Sequence, residues 1–166
     1  MICARHNPRP MRQAMAPLPS ARVLPTQPFN RTGLDYAGPF QILSAKGRGV
    51  RSTKGYVAVF VCMSTKAIHL ELVVDMTRTS FLGALSRFCG RRGKPSEIWS
   101  DNATTFHRAN LDLRKALLDA EIQWDLADQG IKWNFIPPAA PHFGGLWEAG
   151  IKSMKTHLKE SPGPGN

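Results

Sequence analysis

One short apolar run constrains the fold of this chain more than any other feature. Residues 56–63 read YVAVFVCM, eight positions without a charged or strongly polar side chain. A run of this length, rich in valine and aromatic residues, is typical of a strand covered on both faces. It is less than half as long as a membrane-spanning helix, which needs about 20 apolar residues. We therefore expect a sheet with helices on both faces, and no passage through a membrane.

The patterns around this run predict a single α/β domain. Residues 33–37 and the alternating residues 67–73 complete an antiparallel meander of three strands. We expect the remaining elements to be a helix from Thr77 or Thr79 to Gly90 or Gly93, a strand at 97–101, a helix at 110–127, a strand at 131–136, and a helix at 146–159 behind a Gly144-Gly145 loop. The order β-β-β-α-β-α-β-α implies a mixed five-stranded sheet flanked by helices.

The two ends of the chain show no helix or strand period. Six prolines and scattered arginines fall within the first 30 residues, so we expect an extended Pro/Arg-rich arm at 1–28. Residues 161–166 read SPGPGN, which predicts a flexible tail that stops a helix. The folded domain is expected at 29–160, because 166 residues can bury one hydrophobic core but hardly two.

The charge balance favours a polyanionic partner. The chain carries 22 Lys and Arg against 12 Asp and Glu, a formal net charge of +10. Such an excess on a small domain points to nucleic acid first and to an acidic membrane surface second. A basic enzyme without a polyanionic partner is the alternative that charge alone leaves open.

The cysteines indicate a reducing compartment. Cys3, Cys62 and Cys89 form no C-x-x-C pair, and the last two fall in apolar strand and helix patterns as buried thiols do. Cys3 and His6 have ligand-like spacing, but two ligands cannot complete a structural zinc site. No signal-peptide pattern opens the sequence. We expect a nuclear or cytoplasmic protein that is not secreted.

Three acidic residues stand where a catalytic site can be built. Asp35 ends the first strand, Asp101 ends the fourth, and Glu148 falls in the first turn of the last helix. Adjacent parallel strands bring such positions to one edge of a sheet, where three carboxylates repel each other unless a cation compensates. Oxygen ligands select Mg²⁺ or Mn²⁺, and two such ions can promote phosphodiester displacement. Each acid also has an ordinary interpretation: a strand end, an Asp-Asn turn, and a favourable charge at a helix start.

The last helix predicts two neighbouring stripes of side chains at helical spacing. One is an apolar core stripe and the other is charged; they comprise Trp147, Ile151, Met154 and Leu158, and Glu148, Lys152, Lys155 and Lys159. Lysines beside a metal site can hold the phosphates of a DNA substrate. The alternative is a solvated Glu–Lys pair, which contributes a few tenths of a kcal/mol.

Four segments together resemble the integrase core of retroviruses and long-terminal-repeat retrotransposons. They are TGLDYAGPF at 32–40, KAIHLE at 66–71, SDN at 100–102 and PPAAPHFGGLWE at 137–148, and the last resembles the BEL/Pao group in particular. The resemblance implies a ribonuclease-H-like fold and a D,D,E triad formed by Asp35, Asp101 and Glu148.

The same resemblance implies the ligands and partners. Two Mg²⁺ or Mn²⁺ ions would be held by the triad, and Lys152 and Lys155 would contact the DNA end, joined by Lys159. Asn102 beside the site and His142 would complete the DNA contacts. Element-end and target DNA, and further copies of the chain in a homo-oligomer, are the implied partners.

The chain departs from the family pattern in three ways. Ala103 stands where the family usually has glycine, which adds strain of order 1 kcal/mol if the backbone needs positive φ. The amino-terminal zinc domain is represented only by what resembles its last stretch, and the carboxyl-terminal DNA-binding domain is absent. The spacer from Asp101 to Glu148 is longer than in retroviral integrases.

These features together predict a metal-dependent polynucleotidyl transferase core that cuts a DNA 3′ end and joins it to target DNA. Two alternatives stay open. One is a truncated or adapted chain that binds nucleic acid without catalysis, which the missing flanks and Ala103 favour. The other is a ribonuclease-H-like nuclease that only hydrolyses.

Overall fold

A computed structural model describes residues 18, 20–43, 51–101, 120–136 and 141–160. The arm predicted at 1–28 lies mostly outside the described residues, as do the tail at 161–166 and the first half of the helix predicted at 110–127. The helices are α1 Ser20–Val23, α2 Arg78–Arg92, α3 Ala120–Asp128 and α4 Pro141–Glu160. The strands are β1 Arg31–Leu43, β2 Ser52–Cys62, β3 Ile68–Val73, β4 Glu97–Ser100 and β5 Lys132–Phe135.

The five strands form one mixed sheet in the order β3-β2-β1-β4-β5. β1, β2 and β3 pair antiparallel, which confirms the predicted meander. β4 pairs parallel with both β1 and β5, so the two halves of the sheet differ in strand direction. The α/β class and the mixed five-stranded sheet flanked by helices are those the sequence predicts.

The apolar run in β2 is buried from both sides, as expected. Residues 58–63 are all at most 2% exposed. Phe60 faces α2, where its ring stacks on Phe88 at a centroid distance of 4.2 Å. Val59 and Val61 face α4 and pack in the apolar cluster that contains Trp147. The alternation of side chains along one strand thus anchors a helix on each face.

The ends of several elements differ from the sequence expectation. β1 continues past Ala37 to Leu43 across a register shift, because Pro39 has no N–H for the ladder and the pairing resumes beyond it. A single helical turn, α1, stands in a segment for which we expected only extended chain. α2 begins where predicted: the Thr77 side chain accepts a hydrogen bond from the Ser80 N–H, and Gly93 at φ 88° ends the helix.

The last helix corrects the sequence interpretation most. α4 begins at Pro141, so Gly144 and Gly145 lie inside the helix and are not a hinge. Proline suits the first helical position because its φ is already helical and it has no N–H to leave unpaired. Glu148 is therefore not in the first turn, and a favourable charge at the helix start does not explain it. Leu158, predicted in the core, is 52% exposed.

The polar residues of β3 face inward, which reverses the expected alternation. His69 and Glu71 are 7% and 4% exposed, whereas Leu70 and Leu72 on the other face are 43% and 54% exposed. Arg87 and Arg91 of α2 explain the reversal, since they donate to the Glu71 carboxylate at 2.7 and 2.8 Å. His69 Nε2 donates to the same carboxylate at 2.9 Å, and His69 Nδ1 accepts from Arg92. α2 is therefore attached to the edge strand by charge-assisted hydrogen bonds.

None of the helices in the described part of the chain is both long and apolar enough to cross a membrane.

We predict that Glu71 makes the fold sensitive to acid. Burial alone would raise the pKa of Glu71, but the hydrogen bonds from Arg87 and His69 and the charges of Arg91 and Arg87 hold it below 4.5. A depressed pKa stabilises the fold above pH 4.5, and that stabilisation is lost as pH falls through the folded-state pKa. Glu71→Gln should therefore lower the free energy of unfolding at pH 7 and flatten its decline below about pH 5.

Urea unfolding at a series of pH values measures this effect. Asp128→Asn, at the exposed end of α3, is the control for loss of one acid, and its curve should run parallel to that of the unaltered chain. A Glu71→Gln curve that is equally parallel would contradict the assigned role.

Candidate active site beside the β1–β4 pairing

Parallel pairing of β1 and β4 brings the first two predicted acids side by side. Contrary to the prediction, Asp35 does not end its strand, because β1 continues to Leu43; it lies where the pairing with β4 ends. Leu34 is the register partner of Ser100, and Asp35 and Asp101 are the next residues along the two chains. Both acids are partly buried. Because side chains alternate, Asp35 points to the same face as Gly33, opposite to Leu34 and the α2 side of the core. That face is the one covered by α4.

α4 is positioned by a close contact between an indole ring and a glycine. Trp147, 1% exposed, lies on the backbone of Gly33, and a Cβ atom at position 33 would collide with the six-membered ring. Gly150, one turn further on, lies close to Val61 and Ile68. A Cβ atom at position 150 would lie 3.2 Å from the Val61 side chain, which is a tight contact. The missing side chains let the helix approach the sheet. Since Glu148 follows Trp147, this contact brings the third acid toward Asp35.

Electrostatics confirm that these charges share one neighbourhood. The pKa of Asp35 is raised from 3.8 to about 6, first by burial, against a hydrogen bond that the Tyr36 N–H donates to it at 2.7 Å. The negative charges of Asp101 and Glu148 raise it further, and the ammonium group of Lys155 lowers it. The structure thus brings three acids and one lysine within electrostatic reach of each other.

The acids are near one another without forming a closed ligand set. Within the described residues, no group of three His, Cys, Asp or Glu side chains is close enough to hold one metal ion. The donor chemistry nevertheless fits a divalent cation, because the carboxylates supply hard oxygen ligands and repel each other. A bound cation would stabilise the ionised form of Asp35, which burial and the charges of Asp101 and Glu148 disfavour.

A cationic groove begins at Glu148. A cavity of about 530 Å³ is lined by Glu148, Ile151, Lys152, Lys155 and Thr156. Both lysines are exposed, and the Thr156 hydroxyl donates to the Lys152 carbonyl at 3.0 Å. Lysines three positions apart on a helix point to the same side, so their charges line one wall of the groove. The predicted charged stripe is therefore present as far as Lys155.

Other predicted site residues fall where the structure gives no description. Asn102 and Ala103 lie outside the described residues, as do the side chains of His142 and Lys159. Sequence reasoning missed Gly33 as a positioning residue. Its signal was a glycine inside a strand, which often marks the close approach of another part of the chain.

Comparison with known proteins shows similarity at the level of structure. The chain matches no protein-family model and no curated protein. A solved simian T-cell lymphotropic virus intasome, in complex with PP2A regulatory subunit B56 gamma, aligns with a TM-score of 0.61 at 17% identity. That alignment covers 93% of this chain and 50% of the other, so this chain spans about half the length of that relative.

The catalytic core domain of HTLV-2 integrase, in complex with magnesium, is similar in two forms. The trimeric form aligns with a TM-score of 0.56 at 20% identity over 80% of this chain and 71% of that one. The dimeric form has a TM-score of 0.53 at 20% identity over 83% and 78%. The fold of this chain is thus the ribonuclease-H-like fold of integrase catalytic cores, as the resemblance implied.

We predict that Asp35→Asn stabilises the metal-free protein at neutral pH. Folding raises the pKa of the Asp35 carboxyl, so its ionisation lowers the free energy of unfolding. This loss is absent below pH 3.8, the ordinary pKa, and it grows until the pH passes about 6, the pKa in the folded protein. At about 1.4 kcal/mol per pKa unit, the amide should add roughly 1–3 kcal/mol above pH 6, after allowance for solvent screening. Urea unfolding in chelator-treated buffer should show the two proteins converging near pH 4 and separating as pH rises.

We also predict opposite effects for two glycine-to-alanine changes. Gly33→Ala should destabilise the protein by about 1–3 kcal/mol, because the new methyl group overlaps the Trp147 ring and pushes α4 outward. Gly145 lies within α4, and a Cβ atom added there meets nothing within 4 Å. Gly145→Ala should therefore stabilise the protein by about 0.5–1 kcal/mol. Thermal unfolding measures the stability of both variants. Equal effects of the two substitutions would contradict the close contact between Gly33 and Trp147.

Proposed function

We propose that this chain is the metal-dependent catalytic core of a DNA strand-transfer enzyme of the integrase type. Asp35, Asp101 and Glu148 hold Mg²⁺ or Mn²⁺ in this proposal, and the chain belongs with the BEL/Pao-like retrotransposon integrases. The observation that carries it is the parallel register of β1 and β4, in which Leu34 pairs with Ser100 and the next residues are Asp35 and Asp101. The charges of Asp101 and Glu148 add to the burial that raises the pKa of Asp35.

The metal fits the donor set and the surrounding structure. When bound, a pair of divalent ions supplies an activated oxygen nucleophile and stabilises the leaving oxygen of a phosphodiester. The chain provides oxygen ligands from within β1 and α4 and from the residue that follows β4. The magnesium named for the similar HTLV-2 integrase core supports this choice of ion.

Lys152 and Lys155 are assigned to the DNA backbone. They are exposed, they line the groove that begins at Glu148, and Lys155 is near enough to lower the pKa of Asp35. A phosphate at this position would sit between the lysines and the acids, as a substrate of the proposed reaction must. Lys159, Asn102 and His142 are proposed to extend this contact on the basis of the sequence resemblance.

Several copies of the chain are proposed to act together on DNA. The similar HTLV-2 core exists in dimeric and trimeric forms, and another relative is part of an intasome. The net charge of +10 supports a nucleic-acid partner. A nuclear or cytoplasmic location is proposed with it, because DNA is the substrate.

One observation favours a second candidate, a chain that binds nucleic acid without catalysis. The described residues contain no three metal-ligating side chains close enough to hold an ion. If the acids cannot close on a cation, the groove and its lysines would still bind a phosphate backbone. Metal binding therefore separates the two candidates before any chemistry is measured.

We predict disintegration of a branched DNA substrate that depends on Mg²⁺ or Mn²⁺. Asp35→Asn, Asp101→Asn and Glu148→Gln should each reduce the rate by on the order of 100-fold or more, because each removes a ligand charge needed to place the metal. Asp128→Asn, an acid outside the site, should leave the rate unchanged. A labelled 3′ end that becomes joined to a second DNA separates strand transfer from simple hydrolysis.

Thermal unfolding with and without Mg²⁺ completes the test. The ion should raise the melting temperature of the unaltered chain and have little effect on Asp35→Asn. A chain that binds DNA but shows neither metal-dependent stabilisation nor disintegration would be the non-catalytic candidate.

A further inference from the structure

Four cations gather where α2 ends and the chain turns toward β4. We call Arg87, Arg91, Arg92 and Lys94 the α2 basic surface. The side chains of Arg87 and Arg91 are 46% and 63% exposed, and Arg92 and Lys94 are exposed as well. Among the described residues, Glu71 is the one acid in contact with these arginines. The surface therefore keeps an excess of positive charge.

Each of these cations is held in place by a contact on its inner side. Arg87 and Arg91 donate to the buried Glu71, and Arg87 also donates to the Leu72 carbonyl at 2.8 Å. Arg92 donates to His69 Nδ1 at 3.2 Å and lies over the Phe29 ring at 5.4 Å from its centroid. These anchors leave other N–H groups of each guanidinium directed away from the protein core.

Lys94 extends the surface beyond the helix. Its Nζ donates to the Gln129 carbonyl at 2.7 Å, which fixes the ammonium group beside the turn between α3 and β5. Attraction to the partial negative charge at a helix end accounts for arginines in the last turn of α2. It does not account for a lysine bonded to a different loop. The surface therefore spans two loops as well as the helix.

The α2 basic surface is remote from the candidate active site. α2 packs on the sheet face that carries Phe60 and Phe88, whereas α4 packs on the opposite face. Lys94 also precedes Glu97, the first residue of β4, whereas Asp101 follows the last. The α2 basic surface and the groove at Lys152 and Lys155 thus lie on opposite faces of the sheet.

We propose that the α2 basic surface is a second nucleic-acid-binding site, which takes the phosphodiester backbone of duplex DNA without reading its sequence. Guanidinium groups fixed on their inner side match phosphate oxygens with little further loss of side-chain entropy. The net charge of +10 and the groove along Lys152 and Lys155 favour DNA over an acidic protein. The site needs no metal and none of the three acids of the candidate active site, so it stands apart from the proposed catalysis.

Binding of a random-sequence duplex to the full chain, measured by fluorescence anisotropy without divalent metal, tests this proposal. The logarithm of the binding constant is plotted against the logarithm of salt concentration over about 50 to 300 mM. The double variant Arg91→Gln and Lys94→Gln should reduce the magnitude of this slope by about two units. Glutamine keeps a donor for Glu71 and for the Gln129 carbonyl. Lys152→Gln with Lys155→Gln should lower the slope separately, and the four changes together should add, because the surfaces are distant.

A matched control removes the same charge elsewhere. Arg51→Gln with Lys54→Gln, two exposed cations at the start of β2, should lower the slope by less than half as much as the Arg91 and Lys94 pair. An equal or larger effect of the control pair would overturn the proposal. A competition experiment uses the Lys152→Gln and Lys155→Gln variant, to which poly-glutamate is added at the same total charge as the bound duplex. Displacement of the duplex by poly-glutamate would also overturn the proposal, because it would identify an acidic protein as the partner.

Chemical protection gives an answer even if the variants fold poorly. Phenylglyoxal modifies exposed guanidinium groups, and mass spectrometry of the unaltered chain locates the modified positions. Duplex DNA should protect Arg91 and Arg92 at low salt, and the protection should disappear at high salt. Unchanged modification of both arginines in saturating DNA would overturn the second site, and neither result depends on whether the chain is an enzyme.

Discussion

Parallel pairing between β1 and β4 is the constraint on which the candidate site depends. These strands are separated in sequence by β2, β3 and α2, so their pairing is a long-range contact. Because side chains alternate along a strand, a shift of one residue would turn Asp35 to the other face. The buried Leu34 and Ile98 fix the register by filling the core under α2. Hydrophobic packing on one face of the sheet thus determines the positions of charges on the other.

The same architecture holds acids together at a cost in stability. Partial burial and neighbouring negative charges disfavour ionised Asp35, and the apolar contacts of Trp147 and Met154 keep α4 in place against that repulsion. The Glu71 cluster is arranged in the opposite way, since cations surround a buried acid and stabilise its charge. One chain therefore contains a carboxylate whose ionised form is disfavoured by its surroundings and a carboxylate whose ionised form is stabilised by neighbouring cations.

Much of the fold follows from local pattern. The unbroken apolar run predicted β2 buried on both faces, and Thr77 and Gly93 marked the ends of α2 because side-chain capping and positive φ are local properties. The inward face of β3 was not predictable from its alternation, because the partners of Glu71 lie 16 and 20 residues away on α2. The start of α4 at Pro141 was missed because Gly144 and Gly145 resemble a loop, whereas Pro141 and the packing of Trp147 favour a helix there. The three acids were singled out by expected places at element ends, but only Asp101 follows the end of an element, since Asp35 lies inside β1 and Glu148 inside α4.

Gly33 also couples the position of Glu148 to that of the lysines on the same helix. The contact with Trp147 leaves no room for even a methyl group, and Lys152 and Lys155 lie on α4 together with Glu148. A single codon change at this position would move all three side chains at once and leave the net charge and the α2 basic surface unchanged. The candidate site could therefore be altered without the loss of any acidic or basic residue. An intact set of three acids would not by itself identify an intact site, and the residue at position 33 would be the more informative one.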